Sequence, residues 1–453
     1  MEYIFGKRVG VWGHGIVGAS ALRYLATLAP QELHLYDTVP LTPETHAILT
    51  HHNIRVHNPD ALSVFLSSVD TILPSPGVDI RPYRQLPIHY LNEFQLFHRA
   101  WQGPVIAITG SFGKTTITHA LAALLNTHGH TAYAGGNIGR PMFDLLSEDI
   151  TSTAVIELSS FQLELGVPHP PDLTIITNIV PNHLDRHGTY EAYIQAKCEL
   201  IRHGSTSRTI LAPLKLAPTI TAIGAPLHQY HWFHDSPITS KLGEPLDTCI
   251  AKDTLYIRDN NTIYAYRGSH RHTLGSVPKT FASFPVNALI LAAALEIRGV
   301  ADATDHLATI STPLHRCTLV GTYHGVTWYN DSKSTLPETT LAAVQRLQEH
   351  PIILIIGGKS KGVSRKSLIA QLCGKVRYIV FFGAESEQLH IWAQEYGIMS
   401  SAHSTLETAV QVAAQQTSTG WLVLFSPAGT SYDLFKNFEE RGKRFTELVQ
   451  QLR

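Results

Sequence analysis

Short apolar runs alternate with segments whose apolar positions recur every three or four residues, from one end of the chain to the other. The runs are rich in Val, Ile and Leu and read as buried strands, and the periodic segments read as amphipathic helices. Such alternation predicts an α/β fold built on parallel sheets covered on both faces. The first block, to about Gly103, holds RVGVW, ELHLYD and VDTILPSPG as strands. WQGP breaks the pattern, and VIAITG opens a second block that contains STAVIELSS and LTIITNIVPNH. From about Gly204 to Phe281 the pattern loosens. There TLYIRDNNTIYAY reads as a β-hairpin, and a helix follows at about Val286–Arg298. The third block starts near Pro313, with HGVTWYNDS, PIILIIGG, YIVFFG and WLVLFSP as strands and a terminal amphipathic helix from Asp433 to Leu452. Three α/β domains are expected, at 1–103, 104–312 and 313–453.

Composition narrows the classes. The 453 residues exceed one ordinary core, and 44% hydrophobic content supports several. A net charge of −1 gives no overall basic field, so no nucleic-acid partner is expected. No apolar run reaches the ~18 residues of a membrane span. The first residues lack the basic and apolar regions of a signal peptide. The four cysteines are far apart and form no C-x-x-C, which fits a reduced, cytoplasmic setting. The 26 histidines do not cluster at metal-ligand spacing.

Two glycine-rich turns carry the candidate chemistry. In the first, VGVWGHGIVGAS leads from a strand into a helix through Gly13, Gly15 and Gly18, and Asp37 ends the next strand. This is the G-x-G-x-x-G arrangement that offers backbone N–H groups to a diphosphate, with an acid placed for a ribose. The second, ITGSFGKTT, lies between a buried strand and an Ala/Leu-rich helix. Backbone N–H groups of Gly110, Ser111, Gly113 and the helix start would cradle phosphates, Lys114 would neutralise them, and the Thr115 hydroxyl, with Thr116 beside it, would reach Mg²⁺. The loop is shorter than G-x-x-x-x-G-K-[ST], which argues against a generic GTPase or kinase.

Glu157 ends the strand of AVIELSS, where its charge needs either an ion-pair partner or a metal. Asn178, His183 and Asp185 lie on the loop after the next strand, where α/β sites are built. His183 alone could be an ordinary loop residue, and Lys197, on the following amphipathic helix, reads by itself as a solvated lysine.

Together these segments resemble the Mur ligases, the ATP-dependent amide-forming enzymes of peptidoglycan precursor synthesis. TGSFGKTT, NIG, ELSSFQLE, NHLDRHGTYEAYIQAK, His315-Arg316 and NDSKST match in order, over nearly the whole chain. ELSSFQLE and LFSPAGTSYDLFKNFEERGKRF are similar to the members that add D-glutamate. The resemblance implies Rossmann-like first and third domains around a central P-loop ATPase-like sheet. It implies ATP, two Mg²⁺ ions, UDP-N-acetylmuramoyl-L-alanine and D-glutamate, and a chain acting as a monomer without a membrane span.

The resemblance also implies roles. Lys114, His183 and Lys197 would be catalytic, with Thr115 and Glu157 on one ion and His183 and a carbamylated Lys197 on the other. Asn287, Arg316 and Asp331 would contact ATP, although Asp331 could also be a turn acid. The UDP precursor would meet Gly13, Gly15, Ile16, Val17, Asp37, Thr38, Ser75, Gly77, Asn137, Ser159, Gln162 and His183. Thr335, Lys361, Ser431 and Phe438 would hold the amino acid. Phe112, Ser283-Phe284 and Leu336 depart from the family pattern, which puts adenine contacts and amine selectivity in question. The alternatives are a sister ligase using another amino acid such as L-glutamate, an NAD-dependent oxidoreductase built on Gly13–Gly18, and a non-catalytic nucleotide-binding protein.

Overall fold

The computed structural model describes residues 4–204, 207–224, 228–236, 253–281, 284–300, 304–310, 317–360, 362 and 364–452. It contains three sheets. The first comprises β1 (Arg8–Trp12), β2 (Glu32–Tyr36), β3 (Ile54–His57), β4 (Thr71–Pro74) and β5 (His89–Tyr90), all parallel, in the order β3-β2-β1-β4-β5. The chain reverses its winding between β1 and β4. That is where an open parallel sheet leaves a crevice beyond its strand ends.

The second sheet holds β6 (Val105–Thr109), β7 (Ala132–Gly136), β8 (Thr153–Glu157), β9 (Leu173–Ile176), β10 (Thr209–Pro213), β11 (Gln229–His234), β12 (Thr254–Asp259), β13 (Thr262–Arg267) and β14 (His270–Ser276). Its order is β14-β13-β12-β11-β10-β9-β6-β8-β7, parallel except for the two pairings at the β12–β14 end. β6 is central, and every residue of Val105–Thr109 is buried. The third sheet runs β15-β16-β20-β17-β18-β19. These strands are β15 (Thr318–Tyr323), β16 (Val326–Asn330), β17 (Ile352–Gly357), β18 (Tyr378–Phe382), β19 (Ser400–His403) and β20 (Leu422–Phe425). Only β15 is antiparallel to its neighbour. Along β17, Ile352, Leu354 and Ile356 enter one apolar cluster, and Ile353 and Ile355 enter the cluster on the opposite face. This two-sided burial explains why PIILIIGG shows no alternation.

Each of the three blocks read from the sequence carries one sheet. The hairpin is β12–β13, and the helix expected at about 286–298 is Pro285–Ile297. The terminal helix is shorter than expected, Phe438–Gln450, because the Asn437 side chain accepts the Glu440 N–H and caps it there. By packing, the chain divides into two compact units. One comprises Met1–Ile179, Ile194–Ser276 and Leu289–His306, with the first two sheets. The other comprises Val180–Tyr193, Val277–Ala288 and Leu307–Arg453, with the third. No helix among the described residues is long and apolar enough to cross a membrane.

In the first unit the turn after β1 is tight. A Cβ placed on Gly18 would lie 1.8 Å from the Gly13 carbonyl oxygen, so helix Ile16–Thr27 seats against β1 only with glycine there. Gly18→Ala is therefore expected to lower the melting temperature of the first unit, by an amount equivalent to about 1–3 kcal/mol of overpacking. Thermal denaturation of the two proteins checks this.

Candidate active site

The crevice predicted by the strand order is present in the first unit. A cavity of 690 Å³ lies beyond the ends of β1, β2 and β4, lined by Trp12, Gly13, Gly15, Ile16, Val17, Asp37, Thr38, Ser75, Pro76, Gly77, Val78, Asp79, Tyr83 and Asn137. Nine residues expected to meet the UDP precursor thus share one cavity. Gly15 begins the helix, and Ile16 is 65% exposed at its first turn, so the first helical N–H groups face open space. Asp37 does not stand free as a ribose acid would. Its Oδ2 accepts the His14 N–H (2.7 Å) and sits 2.6 Å from His14 Nδ1, and its Oδ1 accepts the Val39 N–H. Burial pushes this carboxyl up, but the N–H groups of His14 and Val39 outweigh it and hold it below the usual aspartate range.

The second loop follows β6 and is held through its main chain. Asn178 Oδ1 accepts the Ser111 and Phe112 N–H groups, and Asn178 Nδ2 donates to the Phe112 carbonyl. Thr177 Oγ1 donates to the same carbonyl at 2.7 Å. At the departing position Phe112, the hydrogen bonds that hold the loop are made by its backbone. Gly110 (φ +147°) has no room for a side chain, since a Cβ would lie 2.0 Å from Thr177 Oγ1. Gly113, in the left-handed region, caps helix Lys114–Thr127 and turns its first N–H groups into the loop.

Two lysine amines meet at this loop. Lys114 Nζ donates to the Gly110 carbonyl at 3.0 Å, and Lys197 Nζ donates to the same oxygen at 2.9 Å. Lys197 also reaches Thr109 Oγ1 at 3.4 Å and is 1% exposed. The solvated-lysine reading fails: the helix Tyr190–Arg202 buries this side chain against β6. Across the strand end, Glu157 is paired with Ile108 in register and is 2% exposed. Its Oε1 accepts Asn137 Nδ2 at 3.1 Å, while its Oε2 is buried without a hydrogen-bond partner. No cation pairs with it among the described residues, so the ion-pair reading lacks its partner. An orphaned carboxylate oxygen beside a phosphate loop fits a hard divalent cation. Thr115 is half-buried on the same helix turn, and Thr116 Oγ1 is buried and unpartnered. Among the described residues no three His, Cys, Asp or Glu side chains form a ready-made metal cage.

The second unit holds the other expected residues. His183 begins the helix Leu184–His187 with φ +53°, and Asn287 is buried at the start of Pro285–Ile297. The Asp331 carboxylate is held in its turn: Oδ1 accepts the Cys317 N–H, and Oδ2 accepts the Ser334 and Ser426 hydroxyls. Thr335 and Ser431 lie on the loops after β16 and β20, and the Phe438 ring lies 5.1 Å from Lys333 Nζ. Leu336 is buried as core. Arg316, Lys361 and Ser283 lie outside the described residues. The fully buried Arg441, which the sequence did not single out, fastens these loops, donating to the carbonyls of Ser332, Gly429 and Thr430 and to Ser332 Oγ. Burial without a direct carboxylate pulls its guanidinium below the usual range.

Residues 108–216 match the Mur ligase middle domain, and 315–429 match the Mur ligase glutamate ligase domain. The UDP-N-acetylmuramoylalanine--D-glutamate ligase of Thermoanaerobacter sp. (strain X514) is 30% identical over 99% of both chains. The chain belongs to the Mur ligase family. The enzyme of the same name from Desulfotalea psychrophila is 34% identical to this Mur ligase over 86% of its chain and 83% of the relative's. In fold, this Mur ligase is similar to a pseudomurein peptide ligase type C from Methanothermus fervidus, with a TM-score of 0.61 at 15% identity over 99% and 100% of the two chains.

A further link in this Mur ligase was missed from sequence. Ser159 and Gln162 form a reciprocal cap just after Glu157: Ser159 Oγ accepts the Gln162 N–H, and Gln162 Oε1 accepts the Ser159 N–H and hydroxyl. Gln162 Nε2 then donates to Glu93 Oε2, and Asn92 Nδ2 donates to the Gln162 carbonyl. The helix Glu93–Ala100 of the first block thereby straps the turn behind the strand that carries Glu157. Nothing in NEFQLF marks Glu93 as buried, since its position reads equally as a helix-start acid facing water.

Burial raises the Glu93 carboxyl from 4.5 to about 7, against the lowering effect of the Gln162 hydrogen bond. The folded state therefore holds this proton more tightly than the unfolded state. Stability falls as pH rises from about 4.5 to about 7 and stays lower above that. Glu93→Gln removes the penalty while keeping an acceptor for Gln162. The variant is expected to melt higher than the parent at pH 8, with the gap closing toward pH 4.5, as melting curves across that window would show.

Proposed function

We propose that this Mur ligase joins D-glutamate to UDP-N-acetylmuramoyl-L-alanine with hydrolysis of ATP to ADP and phosphate, a step of peptidoglycan precursor synthesis in the cytoplasm. The observation that carries the chemistry is the convergence of Lys114 and Lys197 on the Gly110 carbonyl beside the orphaned Glu157 oxygen. That arrangement supports a phosphate-transfer site in which Lys114 supplies the positive charge.

The γ-phosphoryl of ATP passes to the L-alanyl carboxylate, giving an acyl phosphate and ADP. The glutamate amine attacks the acyl carbon, the tetrahedral adduct expels phosphate, and the amine loses a proton. Water alone leaves carboxylate and ammonium unreacted, so activation is the essential step. The loop N–H groups orient the transferring phosphate, and Lys114 offsets its charge. Mg²⁺, when bound, neutralises phosphate oxygens and fixes their geometry. Glu157 and Thr115 would hold one ion. Lys197 as an amine is a donor, not a ligand, so its part in holding a second ion with His183 requires carbamylation, which converts it to a carboxylate-like group. Asn287, Arg316 and Asp331 would contact ATP. Thr335, Lys361, Ser431 and Phe438 would receive the amino acid. We assign three domains to this work, 1–103, 104–312 and 313–453, in a monomeric enzyme.

The test is phosphate release with ATP, Mg²⁺, UDP-N-acetylmuramoyl-L-alanine and D-glutamate. Release is expected only with both substrates present. Release with L-glutamate but not D-glutamate would overturn the substrate assignment, and dinucleotide binding without ATP turnover would overturn the class. Lys197→Ala should lose about 10²-fold or more in turnover. Short carboxylates such as acetate should restore part of it, and full activity without them would remove the carbamate.

A further inference from the structure

We infer that His14 is a positioning residue that readies the first-unit cavity for a diphosphate by holding Asp37 down and offsetting its charge. This rests on the reading that the cavity takes the UDP end of the precursor. The His14 ring does not line the cavity but lies behind its wall, 3% exposed. Nδ1 is 2.6 Å from Asp37 Oδ2, and Nε2 is 3.1 Å from the Pro40 carbonyl oxygen. A carbonyl can only accept, and so can a carboxylate held ionised by two backbone N–H groups. Both ring nitrogens thus face acceptors, an arrangement that the doubly protonated ring satisfies by donating on both sides, with its positive charge set against Asp37.

Charge in the cavity makes this pairing consequential. Its two acidic lining residues are Asp37 and Asp79, a poor setting for an anion unless both are balanced. Asp79 is gripped by the Arg81 guanidinium at 2.8 and 2.6 Å. His14 does the same for Asp37. It also fastens three pieces together: its own glycine turn, the end of β2, and the chain at Pro40. An apolar residue at position 14 would leave the Asp37 charge unbalanced beside the helix start, where the phosphates are to sit. The acid at the end of β2 thus lines the cavity with its position fixed by His14.

The test separates phosphate from nucleoside recognition. Binding of UDP and of uridine to the full-length wild type and to His14→Leu is measured by calorimetry, with steady-state kinetics alongside. The variant is expected to bind UDP about tenfold or more weakly and uridine within about twofold, and to raise KM for the precursor without raising KM for ATP. UDP affinity within about twofold of wild type, or equal loss for UDP and uridine, would overturn the role. If His14→Leu does not fold, His14→Gln, which keeps a donor but no charge, is expected to shift UDP affinity in the same direction. Failure of the variants to differ leaves wild-type turnover of the precursor intact. A wild type that binds no UDP would instead remove the cavity assignment, and this inference with it.

Discussion

Two lysine amines share the carbonyl oxygen of Gly110, and the catalytic half of the first unit is organised around that oxygen. Each lies within 3.0 Å of it, so the amines are about 6 Å apart at most. At an effective dielectric constant of about 20, two unit charges at that spacing repel by about 3 kcal/mol. The fold tolerates this because β6 is central in a parallel sheet and Asn178 and Thr177 fix the loop by its main chain. An anionic phosphate group placed at the loop would be attracted by both amines.

Negative charge is treated with equal care in the neighbouring cavity of the same unit, which Asn137 joins to Glu157. Asp37 and Asp79 border that cavity, and each has a basic side chain against it. Glu93, buried at the seam between the first two sheets, meets only the Gln162 amide, and burial pushes its carboxyl toward neutrality. These three carboxylates are balanced by a partner or by their surroundings. Glu157, whose free oxygen stays ready for a cation, is the contrast.

Much of this was legible in the chain because glycine, lysine and strand-end polar residues advertise themselves against apolar runs. The phosphate loop, the first glycine turn, Glu157 and the central strands of all three sheets follow from pattern alone. The short strands β3 and β19 did not, because they are half-exposed or at sheet edges and lack a continuous apolar run. His14, Glu93 and Arg441 were illegible for another reason. Each is a polar residue on a turn or helix that ordinarily meets water, and only the tertiary fold buries it. The terminal helix was overextended because Leu434 and Phe435 carry helix-like spacing. Their N–H groups instead bond to the Ser431 carbonyl in the loop before Asn437.

The attachment made by Arg441 has a consequence for how such an enzyme changes over evolutionary time. Its guanidinium grips peptide carbonyls at Ser332, Gly429 and Thr430, with a single hydroxyl as its side-chain partner. Peptide carbonyls are the same whatever residue bears them. The clasp is therefore blind to most of the letters of the loops it holds. A substitution that keeps the backbone path therefore leaves the clasp in place, while Gly429 and the buried Ser332 are fixed by close contacts of their own. What holds the loops is in this way separated from most of the side chains they present.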